Sequence, residues 1–142
     1  MIRYDSSVRV NRPPEEVFRF LVEPEKQALW SDVPMRPVTD GPFVTGKRFE
    51  VSFGMGPAKA TLGLELTAVE TDRLMAWRTY SGPIRWTGEY RLAADGEGTA
   101  LSQQGELVFT GLWRLAEPLV GAEIRTAEIK ELDKLKAAAE AS

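Results

Sequence analysis

The chemistry open to this chain is bounded first by two residue types it lacks. Its 142 residues include no histidine and no cysteine. That removes the commonest general base, the commonest zinc ligand, the Ser-His and Cys-His nucleophile pairs and any disulfide framework. Tyrosine, arginine, glutamine, tryptophan and the carboxylates remain. Gly41 to Lys47 reads G-x-x-x-x-G-K, the spacing of a loop that cradles phosphate. Arg48 stands where Ser or Thr would meet magnesium, and a strand pattern follows where a helix should open. A turn leading into a strand accounts for these residues better.

Gln103 shares an apolar face with Leu101, Gly105 and Leu107. An amide there needs a ligand, a water or a neighbouring side chain, because leaving it unpaired costs roughly 1–3 kcal/mol. Arg78 falls between Ala76 and Tyr80, with Met75 and Trp77 opposite. Both faces are mixed, so its direction is undecided: pointing inward it would anchor a carboxylate or phosphate, and pointing outward, the favoured reading, it is ordinary surface charge. Tyr4, Tyr80, Trp86 and Tyr90 offer aromatic walls with polar tips, or plain core packing. Glu65, Glu89 and Glu106 alternate onto the solvent side, so no paired acid and base is expected within the strands. The charged run from Glu123 to Lys136, with Glu128, Glu131 and Lys134 at helical spacing, reads as the solvated face of a helix.

These residues need elements to position them. Ile2, Tyr4, Val8 and Val10 alternate with polar residues and predict a first strand, with Ser6 the one exception on the apolar side. Asn11 offers a cap, and Pro14 to Val22 forms a short amphipathic helix with Glu15 and Glu16 at its positive end. Pro24 to Trp30 fits a second short helix. Met35 to Thr39 is a weaker strand before Asp40-Gly41-Pro42, and Arg48 to Phe53 alternates with Phe49, Val51 and Phe53 together. Gly54 to Pro57 turns the chain into a long one-sided strand, Ala58 to Ala68, whose even positions include Leu62, Leu64 and Leu66. Leu74 to Ser81, Ile84 to Leu92 and Thr99 to Phe109 complete an antiparallel meander, with turns at Gly82-Pro83 and Asp95 to Gly98. Ala58, Ala60, Gly88 and Gly105 put small residues on the inner face, which permits curvature. Leu112 to Ala139 is helical in composition. Leu112, Leu115, Ala116 and Leu119 cluster nearly opposite Ile124, Leu132, Leu135 and Ala139, and Pro118 and Gly121 sit at the change of phase. The regular helix is therefore expected from about Pro118.

The bulk numbers agree with a single domain. Hydrophobic residues make up 43%, charged residues 27%, and the formal charge is −3. This composition suits an ordinary globular protein and gives no broad surface for nucleic acid. The alternating N-terminus lacks a signal-peptide core, and no run approaches the roughly 18 apolar residues of a membrane span. A cytoplasmic protein without stable membrane insertion is expected.

Val10 to Phe18 (V-N-R-P-P-E-E-V-F), Pro24-Glu25 with Trp30, Gly98-Thr99 opening the last strand and Gly111-Leu112-Trp113-Arg114 before the final helix resemble the SRPBCC superfamily. The polyketide cyclase/dehydrase and lipid-transport branch is the nearest match. The resemblance covers nearly the whole chain and implies an α+β helix-grip fold: about seven curved antiparallel strands around a long C-terminal helix, two short helices and an internal cavity for apolar ligands. Members include lipid and sterol carriers, coenzyme-Q-binding proteins, aromatic cyclases and chaperone co-activators. No branch motif is present that would transfer a catalytic residue.

The expectation is a binding or carrier protein for a small, mostly apolar molecule. Its cavity would be lined by Tyr4, Phe53, Leu64, Arg78, Tyr80, Trp86, Tyr90, Gln103 and Leu119, without metal or cofactor, and its oligomeric state is left open. Two alternatives stand beside it. A cyclase or dehydratase would be marked by a cavity carboxyl of raised pKa. A protein-interaction module would be marked by an exposed apolar patch around Leu112 to Val120.

Overall fold

In the computed structural model the described residues are all of 1–142 except Asp32, Pro34, Gly56 and Pro57. The side chains of Met55 and Ala58 are likewise not described, so the turn expected at Gly54 to Pro57 and the inward place of Ala58 lie outside the described residues.

Alternation decides the sheet. β1 (Ile2–Val10) buries Ile2, Tyr4 and Val10 and exposes Arg3, Asp5 and Ser7. The same period places Phe49 and Val51 of β3 (Arg48–Met55), Leu62, Leu64 and Leu66 of β4 (Ala58–Glu70), and Met75 and Trp77 of β5 (Leu74–Ser81) in the core. β6 (Ile84–Asp95) adds Ile84, Tyr90 and Leu92, and β7 (Gly98–Phe109) adds Leu101, Gln103, Leu107 and Phe109. With β2 (Met35–Pro37) these strands form one seven-stranded antiparallel sheet in the order β1-β7-β6-β5-β4-β3-β2. Every neighbour but β1–β7 is joined through the meander; β1 pairs with β7 from Ile2 opposite Leu107 to Val10 opposite Thr99. β2 stops two residues short of the expected Thr39, because Val38 and Thr39 both donate to the Arg48 carbonyl instead of continuing the ladder. Register shifts in β4 after Gly63 and Leu66 supply bends to the long strand.

Two short helices follow β1. α1 (Pro14–Val22) turns Val17, Phe18 and Leu21 into the core. Asn11 does not cap it, contrary to expectation. Pro13 occupies the cap position, its carbonyl accepts from Glu16 and Val17, and the Asn11 N–H goes to the Glu140 carboxylate at 2.7 Å. α2 (Pro24–Gln27) is shorter than predicted; beyond it the chain continues in turns to Trp30, whose indole N–H donates to the Phe20 carbonyl at 2.8 Å.

The C-terminal segment divides where its apolar stripe changes phase. Gly111–Leu115 is a 3₁₀ turn, and α3 runs from Glu117 to Ala141 with Val120, Leu132, Leu135 and Ala139 buried. Leu112, Leu115 and Leu119 are 86%, 77% and 79% exposed, so the first of the two leucine clusters faces solvent. α3 packs chiefly along β1 and touches α1. No described helix is long and apolar enough to cross a membrane.

Candidate functional site

The interior between sheet and α3 carries a polar cluster inside an aromatic wall. Tyr4 on β1 receives the Trp86 indole N–H at its hydroxyl at 2.9 Å. Trp86 lies edge-on to Trp77 at 5.5 Å between ring centroids, Trp77 meets Tyr90 at 5.3 Å, and Tyr90 meets Trp30 edge-on at 6.1 Å. These rings share one face because β6 and β5 pair Gly88 with Trp77 and Tyr90 with Met75. Gly88 leaves room for the Trp77 ring to lie across it, and Gly105 does the same for Tyr4; a Cβ at either position would strike the ring.

Gln103 sits directly opposite Ser6 in the β1–β7 register, which explains the polar exception in the first strand. Its amide nitrogen donates to the Ser6 hydroxyl at 3.0 Å and to the Glu128 backbone carbonyl at 2.9 Å, joining β7, β1 and α3. Its oxygen and the Trp77 indole N–H are buried without a partner among the described residues. Buried polar atoms are nearly always paired, so two unpaired ones in the same aromatic region are a departure.

Glu128 is a candidate residue that the sequence reading missed. It is half-buried, and burial, followed by the charge of Glu131, pushes its carboxyl up to about 8. Burial also raises the Tyr4 and Tyr90 hydroxyls well above their ordinary values, with the Glu128 carboxylate the next cause for each, so both phenols stay protonated. Its position was visible in the chain: Glu128 is four residues from Ile124 and four from Leu132, inside the buried stripe of α3. The charged run was therefore not wholly a solvated face.

The other predicted residues divide. Leu64 lies in the core, and Phe53 packs edge-on against Phe109 at 6.0 Å and Trp113 at 6.2 Å. Arg78 and Tyr80 lie on the outer face and contribute nothing to the interior. Arg78 approaches Glu65 at 3.9 Å, and the Tyr80 ring lies beneath the Arg48 guanidinium at 4.3 Å. The alternation that buries Trp77 forces both outward. Leu119 faces solvent in the first turns of α3, because the helix buries Val120 instead. The Gly41–Lys47 loop is not an anion cradle. Lys47 is buried and spends its ammonium on the Thr39 and Gly41 carbonyls at 2.9 and 2.8 Å, over the Phe43 ring.

A hollow of about 1010 Å³ opens mainly on the outer side of the sheet, lined by outward side chains such as Thr87, Glu89, Arg91 and Gln104. It reaches the sheet at Gly88 and Gly105, which are bare on that side because the rings covering them lie inward, and it touches Tyr4, Trp77 and Glu128. α3 borders it with Arg125 and Ile129 where Arg125 donates to the Arg3 carbonyl at 2.9 Å.

α3 is fastened at both ends as well as in its middle, where Gln103 and Arg125 hold it. At its C-terminal end, Arg12 donates to the Glu140 and Ser142 carbonyls, and Lys136 donates to the Arg9 carbonyl at 2.6 Å. The Asn11 N–H, then the Lys136 ammonium, hold the Glu140 carboxyl below the usual range. At the other end Glu117 meets the exposed Met1 ammonium at 2.8 Å and takes a long hydrogen bond from the Phe109 N–H at 3.4 Å. An ion pair to an exposed chain terminus holds little.

A family model described as polyketide cyclase / dehydrase and lipid transport matches residues 1–140. No curated protein matches the chain significantly. Among solved structures, TTHA0849 from Thermus thermophilus superposes with a TM-score of 0.79 at 16% identity, covering 98% of this chain and 97% of that one. The ZhuI aromatase/cyclase from Streptomyces sp. R1128 gives 0.77 at 15% identity, covering 97% and 93%. CV1439 from Chromobacterium violaceum gives 0.75 at 15%, covering 97% of each chain. At these identities the likeness is one of fold.

Proposed function

This chain belongs to the polyketide cyclase/dehydrase and lipid transport family, and from that premise we propose that it binds a small, mostly apolar molecule between the sheet and α3. The observation that carries this reading is the pair of buried, unpartnered polar atoms, Trp77 Nε1 and Gln103 Oε1, within one aromatic wall. Left alone, each group costs roughly 1–3 kcal/mol; a guest with a polar tip would satisfy both. Affinity would come from burying the guest's own apolar surface, at roughly 25 cal/mol per Å², and orientation from the polar atoms. Native mass spectrometry of the purified protein tests this: a co-purifying small molecule, displaced with a change in tryptophan fluorescence, is expected. A protein that always emerges bare and ignores apolar probes would refute it.

A second reading is favoured by one residue. Glu128, protonated near neutral pH beside two phenols, has the character of a general acid for a cyclase or dehydratase. It differs from the carrier reading in what happens to the guest. A molecule recovered by native mass spectrometry would lose the mass of one water on incubation with the wild type and not with Glu128→Gln.

A further inference from the structure

The face that α3 turns to solvent is ordered. Leu112, Leu115, Leu119, Ala122, Thr126 and Ile129 recur at alternating steps of three and four residues, and all of them are exposed. Trp113, Ala116 and Ile124, which lie between them, lean on the core instead. From Leu119 onward the strip lies on regular helix. At about 100° per residue it points away from the side that buries Val120, Leu132, Leu135 and Ala139. Steps of three and four suit a seam between two helices, because each side chain can then sit among those of the facing helix. Charge flanks this seam. Glu123 and Lys130 stand one heptad apart along the same flank, and among the described residues neither meets an opposite charge. They are about 10 Å apart along the axis, too far to pair with each other. On the other flank Arg125 is tied to the Arg3 carbonyl.

We propose that this face joins two copies of the chain through an antiparallel pair of α3 helices. Leu119 lies against the partner's Ile129 and Ala122 against the partner's Thr126, about a twofold axis level with Ile124. The small residues nearest the axis let the two helices approach closely. In this register Glu123 comes beside the partner's Lys130, and symmetry makes the contact twice. Charge selects the arrangement. A parallel pair would set Arg125 beside the partner's Lys130, like against like. Sliding the antiparallel pair by one heptad brings Glu123 to Glu123 in one direction and Lys130 to Lys130 in the other. The two bodies stay clear of each other, because the strip lies opposite the buried side of each helix. One helix face covers less than the roughly 800 Å² per partner of a tight complex, so the dimer is a weak one that forms as concentration rises. The contact leaves the interior untouched and is independent of what the interior binds.

Sedimentation of the wild-type protein from about 1 μM to about 1 mM, the span over which weak complexes dissociate, is expected to show monomer passing into dimer. A monomer at every concentration overturns the proposal. So does growth beyond the dimer, since a twofold contact closes on itself. Lys130→Glu sets acid against acid twice and should weaken association about tenfold or more. Reversing both charges in one chain, Glu123→Lys with Lys130→Glu, should restore it. A dimer indifferent to these changes uses another face, and the proposal falls. The chain has no cysteine, so introduced thiols report the register. Leu119→Cys mixed with Ile129→Cys should form a disulfide between copies on oxidation. Neither variant alone should do so, because like positions then lie about 15 Å apart along the seam. A Leu119→Cys protein that crosslinks to itself means a parallel pair and overturns the assignment. All four altered positions are exposed, so the monomer keeps its fold in every variant.

Discussion

The Trp86 indole N–H reaches the Tyr4 hydroxyl at 2.9 Å across the full width of β7, so a strand inside the sheet holds the edge strand from the interior side. Gly105 of β7 lies beneath this link and makes it sterically feasible. Hydrogen bonding and the absence of a side chain therefore work together at one point.

Tyr4→Phe removes the acceptor and leaves the Trp86 N–H unpaired in a partly buried site. A loss of about 1–2 kcal/mol is expected from urea unfolding. Since β1 is the strand that α3 packs along, hydrogen exchange should rise first in β1 and in the adjoining turns of the helix.

Gly88→Ala and Gly105→Ala should each destabilise by about 1–3 kcal/mol, because the added methyl group meets the Trp77 ring in one case and the Tyr4 ring in the other. Equilibrium unfolding measures the loss. Gly88→Ala should also shift the tryptophan emission, which a backbone effect alone would not.

Glu128 gives stability a pH dependence of definite sign. Its ordinary value is 4.5 and its folded value about 8. Below the first the carboxyl is protonated folded or unfolded and contributes nothing. Between the two the unfolded chain ionises while the fold retains the proton, so stability falls as pH rises, and above about 8 the loss is complete. The melting temperature should decline from about pH 5 to about pH 8, and the decline should flatten in Glu128→Gln.

Two leucines of one helix separate the packed face of α3 from the open one. Leu135→Ala should cost about 2–5 kcal/mol, since Leu135 is wholly buried. Leu119→Ala should stay within about 0.5 kcal/mol of wild type. Parallel denaturant titrations of the two variants check both.

β6 was readable because its period is two: Ile84, Tyr90 and Leu92 are buried and Arg85, Thr87 and Arg91 turn away from them, as alternation required. The same rule explains why Arg78 and Tyr80 turned outward, since Trp77 takes the inner position beside them. Helical period served less well. Near Leu119 two phases compete, and the chain resolves them by inserting a 3₁₀ turn, which leaves the first leucine cluster in solvent. Glu128 was misjudged on residue type: it stands at an apolar position of the stripe, and a lone carboxyl among Ile124, Leu132 and Leu135 was legible as an anomaly. Trp77 and Trp86 meeting over Gly88 depends on ring orientation across β6, which spacing along the chain does not encode.

The clasp formed by Arg12 and Glu140 pins the far end of the last helix, and the bonds from Gln103 and Arg125 pin its middle. From Glu140 to Leu119 the helix measures roughly 30 Å at about 1.5 Å per residue. Moving its first turns aside with the clasp shut would therefore break the Gln103–Glu128 and Arg125–Arg3 bonds first, at a cost of about 1 kcal/mol each.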